Sequence, residues 1–196
     1  MRKLQFIIIA TAAVFFSNCD TNDNGFYNSV FLESTNLVSI DVQSNYSVGD
    51  NLYVTADFSR YQPEIGQEEL VDIYKTTGNA PEFTFSYVIE KQNSSSVWEV
   101  VYVNDSQLDV IDGDAQNGAY VYGHCIYNTV SESYKYNVGF PLLTSGNYRL
   151  SFGYNSSSSS KVELRSQSAP SKLVLNINST NAEINSSGYY AFTVVN

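Results

Sequence analysis

The sequence predicts an all-β protein, an antiparallel β-sandwich interrupted by one long excursion at residues 59–81. Two observations carry this expectation. Sixteen Tyr and eleven Phe stand beside many Val, Thr and Ser, with a single Met; β-branched and aromatic side chains favour strands over helices. Apolar and polar residues also alternate with a period of two, the mark of a strand with one buried face.

The elements follow in order. Val38, Ile40 and Val42 share one face of a first strand, and Leu52, Val54, Ala56 and Phe58 share one face of the next. Phe83, Phe85, Tyr87 and Ile89 form a third inward set. Tyr134, Tyr136, Val138 and Phe140 lie on one side of Thr144-Ser145-Gly146-Asn147, and Tyr148, Leu150, Phe152 and Tyr154 on the other. Leu173, Leu175 and Ile177 follow, and Tyr190, Phe192 and Val194 close the chain. Turn clusters such as Val48-Gly49-Asp50, Asn93-Ser94-Ser95-Ser96 and Ser186-Ser187-Gly188 separate these runs. Many short strands at this spacing read as a sandwich. The excursion is long for a connection without structure of its own, so a short helix is expected over 67–75, with Leu70, Ile73 and Tyr74 on its inner side.

Two phrases, YSVGDNLYVTADF and TSGNYRLSF, resemble strand entries of immunoglobulin-like domains in bacterial surface proteins. The resemblance implies an immunoglobulin-like sandwich and says nothing of function. At the N-terminus, Met1-Arg2-Lys3 precedes an apolar run from Phe6 to Phe16. A positive start and an apolar run of this length form a secretory signal, too short for a spanning helix of about 20 residues. The following Phe16-Ser17-Asn18-Cys19 resembles the lipobox of bacterial lipoproteins, in the loose form of Bacteroidota, and Asp20 and Asp23 are similar to their surface-export signal. The resemblance implies a signal peptide at 1–18, Cys19 acylated with chains such as palmitate, and a lipid anchor in the outer membrane, exposed at the cell surface. Residues 19–36 then form a tether and 37–196 the sandwich domain.

Removing Arg2 and Lys3 leaves 8 of the 10 basic residues against 20 acidic ones, a formal net charge of −12. That balance disfavours nucleic acid, whose phosphates require clustered Lys and Arg. With Cys19 acylated, Cys125 is left without a disulfide partner and is expected to be a small buried apolar residue.

Catalytic patterns are scarce. His124 is the only histidine, and as strand neighbours His124 and Cys125 point to opposite faces, which precludes a nucleophile–base pair. Asp105, Asp109, Asp112 and Asp114 crowd one region. The stretch starting at Asp112-Gly113-Asp114 resembles a calcium loop but has Asn117 for its turn glycine and Gly123 for its closing Glu. Asp112 and Asp114 are therefore only weak calcium candidates; a hairpin tip is the simpler reading, and neither metal nor cofactor is expected.

The remaining candidates are surfaces. Trp98, Tyr120 and Tyr122 offer flat rings with polar edges if they face solvent, and Leu70, Ile73 and Tyr74 sit in the excursion. The expected function is thus non-catalytic: a lipid-anchored interaction lipoprotein that binds another envelope protein. A glycan-binding module is the alternative, and a carboxylate-dependent hydrolase ranks third. Deleting 67–75 is expected to abolish partner association and spare the fold.

Overall fold

A computed structural model describes residues 28–152, 160–167 and 173–196; Cys19, the signal segment and Tyr154 lie outside them. Sixteen strands occur among the described residues: β1 (Asn28–Thr35), β2 (Val38–Ile40), β3 (Tyr46–Ser47), β4 (Asn51–Ser59), β5 (Tyr61–Gln62), β6 (Val71–Asp72), β7 (Glu82–Gln92), β8 (Trp98–Val100), β9 (Asp109–Asp112), β10 (Asp114–Asn117), β11 (Val121–Asn128), β12 (Ser133–Pro141), β13 (Gly146–Ser151), β14 (Lys161–Gln167), β15 (Leu173–Thr180) and β16 (Tyr190–Val195). One short helix, α1 (Ile73–Thr76), and a 3₁₀ turn at Asp105–Gln107 complete them. The protein is all-β and sandwich-like.

The strand β7 organises the sheets. Its first half pairs with β11, where Phe83 stands opposite Cys125, and with β14; its second half pairs with β13 and β8. One strand therefore belongs to two sheets, ordered β1-β15-β14-β7-β11-β12-β4-β2 and β3-β16-β13-β7-β8. The odd-numbered residues Phe83, Phe85, Tyr87 and Ile89 are buried, as the alternation predicts. They meet Tyr134, Tyr136, Val138 and Phe140 of β12, Leu52, Val54 and Phe58 of β4, and Leu150 of β13 in one core. Its rings pack edge to face, Phe85 against Tyr136 at 5.0 Å and Phe83 against Tyr134 at 4.8 Å, the arrangement ring quadrupoles favour. Cys125 is fully buried there, and burial pushes its thiol pKa well up.

Four expectations change. The body starts before residue 37: β1 pairs with β15 from Asn28↔Leu173 to Thr35↔Thr180, so only the first part of the 19–36 segment is left for a tether. The sheets are not purely antiparallel, because β1 lies parallel to β15 and β3 parallel to β16. Val42 does not join Val38 and Ile40 in the core, since β2 ends at Ile40 and leaves it exposed. The helix expected over 67–75 shrinks to α1, because Val71 and Asp72 are drawn into β6 against β5. The short polar side chain of Asp72 then caps α1, accepting from the Lys75 backbone N–H at 3.1 Å.

The aspartate-rich stretch forms a wedge. Strands β11 and β12 pair at Ile126↔Lys135 and Asn128↔Ser133, then separate. Into the opening runs β9, antiparallel to β12, and out of it runs β10, antiparallel to β11, with Gly113 at the turn between them. Gly113 has φ +78°, and a Cβ there would lie 2.5 Å from the His124 carbonyl oxygen and 2.9 Å from that of Lys135. Only glycine fits a left-handed turn pressed between two backbones. Asp112-Gly113-Asp114 is thus a tip, as expected, but one driven between strands.

Candidate functional site

The excursion is built from a neck and a tip. At the neck, β5 and β6 pair as Tyr61↔Asp72 and Gln62↔Val71. Arg60 locks this neck to the sandwich. Its Nε donates to Asp72 Oδ1 at 2.9 Å and its Nη2 to Asp72 Oδ2 at 2.5 Å, while Nη1 donates to Glu132 Oε1 at 3.0 Å. The fork geometry of guanidinium suits two carboxylate oxygens at once. The guanidinium also lies against the rings of Tyr61 and Tyr74, 5.1 and 5.0 Å from their centroids. The Arg60 hydrogen bond holds the Asp72 carboxyl below the ordinary range, aided by the Lys75 N–H, against a smaller opposing effect of burial.

Below the neck, Ile73 is buried in the core and Tyr74 stacks on Tyr127 with ring centroids 4.1 Å apart. The buried Thr77 hydroxyl donates to the Ile73 carbonyl at 2.7 Å and accepts from the Ala80 N–H, and Tyr134 donates to the Ala80 carbonyl at 2.9 Å.

The tip, residues 63–70, is solvent-exposed throughout. It carries Ile65 at 86% exposure and Leu70 at 58%, among Glu64, Glu68 and Glu69. At the neck, the turn after β11 carries Val130 at 94% exposure and is held to the excursion through the Arg60–Glu132 pair.

The structure therefore divides the three excursion residues read from sequence. Ile73 and Tyr74 are anchors, not contact residues, and Leu70 is outward, not on an inner helical side. Deleting 67–75 would remove Ile73 and Asp72 and damage the fold, contrary to the expectation above. Tyr61, Ile65, Val130 and the Arg60 clamp were missed. A usable signal existed: a lone Arg at the mouth of a long loop, with an Asp before its closing apolar pair, is the composition of a loop that must be pinned shut.

No protein-family model, no curated protein and no solved structure matches this chain.

Trp98 lies apart from the excursion, on the outer face of β8, and is not a core residue. Arg149 lies between two rings, 4.5 Å from the Trp98 centroid and 4.0 Å from that of Tyr189, and its Nε donates to Glu90 Oε2 at 2.6 Å. One face of the indole is thus occupied by Arg149. Tyr120 and Tyr122 line a cleft of about 300 Å³ at the turn between β10 and β11. Next to it on the outer face, His124 Nδ1 is 3.1 Å from Glu82 Oε2, with Cys125 on the opposite, buried face.

The acidic stretch is engaged in hydrogen bonds. Asp105 accepts from the Asn117 N–H, Asp109 from the Tyr53 hydroxyl, and Asp114 from the Ala115 N–H. Among the described residues no group of three or more His, Cys, Asp or Glu side chains is placed to hold a metal ion.

Proposed function

We propose that this protein is a non-catalytic, lipid-anchored interaction lipoprotein of the outer membrane, facing the cell surface, that captures another envelope protein with its 59–81 excursion. The observation that carries the reading is the contrast between neck and tip. A neck pinned by Arg60, Asp72 and Ile73 carries a tip whose Ile65 and Leu70 are left in water. Binding on a pre-ordered loop avoids most of the entropy of ordering it, and binding functions concentrate on loops held by rigid scaffolds. Burying an apolar side chain of this size contributes about 1.5–3 kcal/mol before other costs. Because Glu64, Glu68 and Glu69 surround the apolar pair, the partner surface is an apolar pocket rimmed by Lys or Arg, whose charges would also steer encounter.

The anchor in this reading is acylated Cys19, and the sandwich is of the immunoglobulin-like kind suggested by its strand-entry phrases. The test is a photo-crosslinking residue at Ile65 in native membranes. One defined adduct is expected, lost in Leu70→Ser and weakened by added salt. An adduct unchanged in Leu70→Ser would overturn the proposal, and intact mass showing unmodified Cys19 would remove its anchor.

A further inference from the structure

The cleft at the β10–β11 turn lies at the far end of β11 from the excursion and has its own chemistry. Its walls are Gln116, Asn117, Gly118, Ala119, Tyr120 and Tyr122, and none of them carries a charge. The cleft is pre-formed. The Asn117 N–H donates to Asp105 Oδ1 at 2.7 Å, its side-chain Nδ2 donates to the Val103 carbonyl at 2.6 Å, and the Gly118 N–H donates to the Tyr120 carbonyl at 3.0 Å.

The rings are also held in place. Tyr120 and Tyr122 stand nearly perpendicular, 75° apart with centroids separated by 6.4 Å, so one presents a face where the other presents an edge. Tyr122 in turn packs at 89° against His124, with ring centroids 4.9 Å apart, and His124 Nδ1 lies 3.1 Å from Glu82 Oε2.

We propose that this cleft binds a neutral carbohydrate, taking one sugar ring of a longer chain. Three features select that class. A volume of about 300 Å³ is at the small end of ligand sites. A tyrosine ring offers a flat apolar face to the C–H side of a pyranose, with a hydroxyl at its rim. The Gln116 and Asn117 amides supply both donors and acceptors for sugar hydroxyls. Charge excludes the neighbouring classes. Among the described residues no Lys or Arg lines the cleft, and Asp105 abuts it, so an anionic sugar or a nucleic acid would be disfavoured there.

The experiment uses the full chain isolated in a non-glycosidic detergent. Calorimetric titration is run with malto-, cello-, xylo- and mannohexaose, and with oligogalacturonate as the anionic probe. At least one neutral hexasaccharide is expected to bind with Kd below about 1 mM. Tyr122→Ala should weaken it about tenfold or more, as truncating an interface tyrosine does, while Tyr122→Phe keeps the stacking and stays within about threefold. Gln116→Ala, at an exposed position, should also weaken binding and serves should Tyr122→Ala fail to fold. Binding of none of the four neutral sugars, equal binding of oligogalacturonate, or full affinity in folded Tyr122→Ala or in Gln116→Ala would overturn the proposal. Ile65→Ser should leave sugar binding unchanged, which separates this site from the excursion.

Discussion

Replacing Ile73 by Ala and Leu70 by Ala separates anchoring from presentation within four residues of chain. Ile73 is fully buried beneath the excursion, whereas Leu70 is 58% exposed. Truncating a fully buried Ile typically costs about 2–5 kcal/mol, from lost transfer energy and the cavity left behind. At about 2–4 °C per kcal/mol for a chain of this size, a cost of about 3 kcal/mol lowers Tm by roughly 6–12 °C. Leu70→Ala falls in the exposed class, within about 0.5 kcal/mol, and should move Tm by no more than about 2 °C. Differential scanning calorimetry reads the first quantity, and cross-linking from Ile65 the second. The expected pattern is crossed: Ile73→Ala loses stability yet retains association below its Tm, and Leu70→Ala retains stability yet loses association. A Tm for Ile73→Ala within about 2 °C of the parent would refute the anchoring argument, and unchanged cross-linking in Leu70→Ala would refute the presentation argument.

Gly113→Ala should be among the most destabilising small substitutions. A left-handed backbone costs an L-residue about 1–2 kcal/mol, and a Cβ 2.5 Å from the His124 carbonyl adds a clash with backbone that cannot yield without opening β11; urea unfolding with a midpoint equal to the parent's would contradict the wedge. The buried Tyr87 and Tyr136 hydroxyls lie 3.1 Å apart, so either single Phe variant should lose about 1–3 kcal/mol by stranding its partner, and the double variant less than the sum. A fully additive cycle would show that the pair is not coupled. Cys125 should resist alkylation in the native protein, because it is buried and its thiol pKa is raised, and become reactive on unfolding. Cys125→Val should fold and bind as the parent does; rapid labelling of the native thiol would reverse that assignment.

Much of the core was legible in sequence for a local reason. Successive Cβ atoms of a strand point to opposite faces, so alternation such as Leu52-Tyr53-Val54-Thr55-Ala56 is a property of neighbouring residues. The buried Leu52, Val54, Phe83, Phe85, Tyr134, Tyr136 and Leu150 follow from it directly. The opposite faces of His124 and Cys125 follow from the same rule. What alternation lacks is any term for pairing partners. Nothing near Asn28 indicates a parallel partner beginning at Leu173, so a strand with few buried side chains looked like tether. A helical pattern at 67–75 lost to pairing because Arg60, twelve residues before Asp72, draws that carboxylate into the neck. Trp98 could equally have been core or surface from its own strand, and the choice was made by Arg149 and Tyr189, brought beside it only when β7, β13 and β16 assemble. The sequence by itself determined which face of each strand is apolar, because that is set within two or three residues. Tertiary structure decided which polar and aromatic groups meet, because those contacts depend on strand pairings formed across most of the chain.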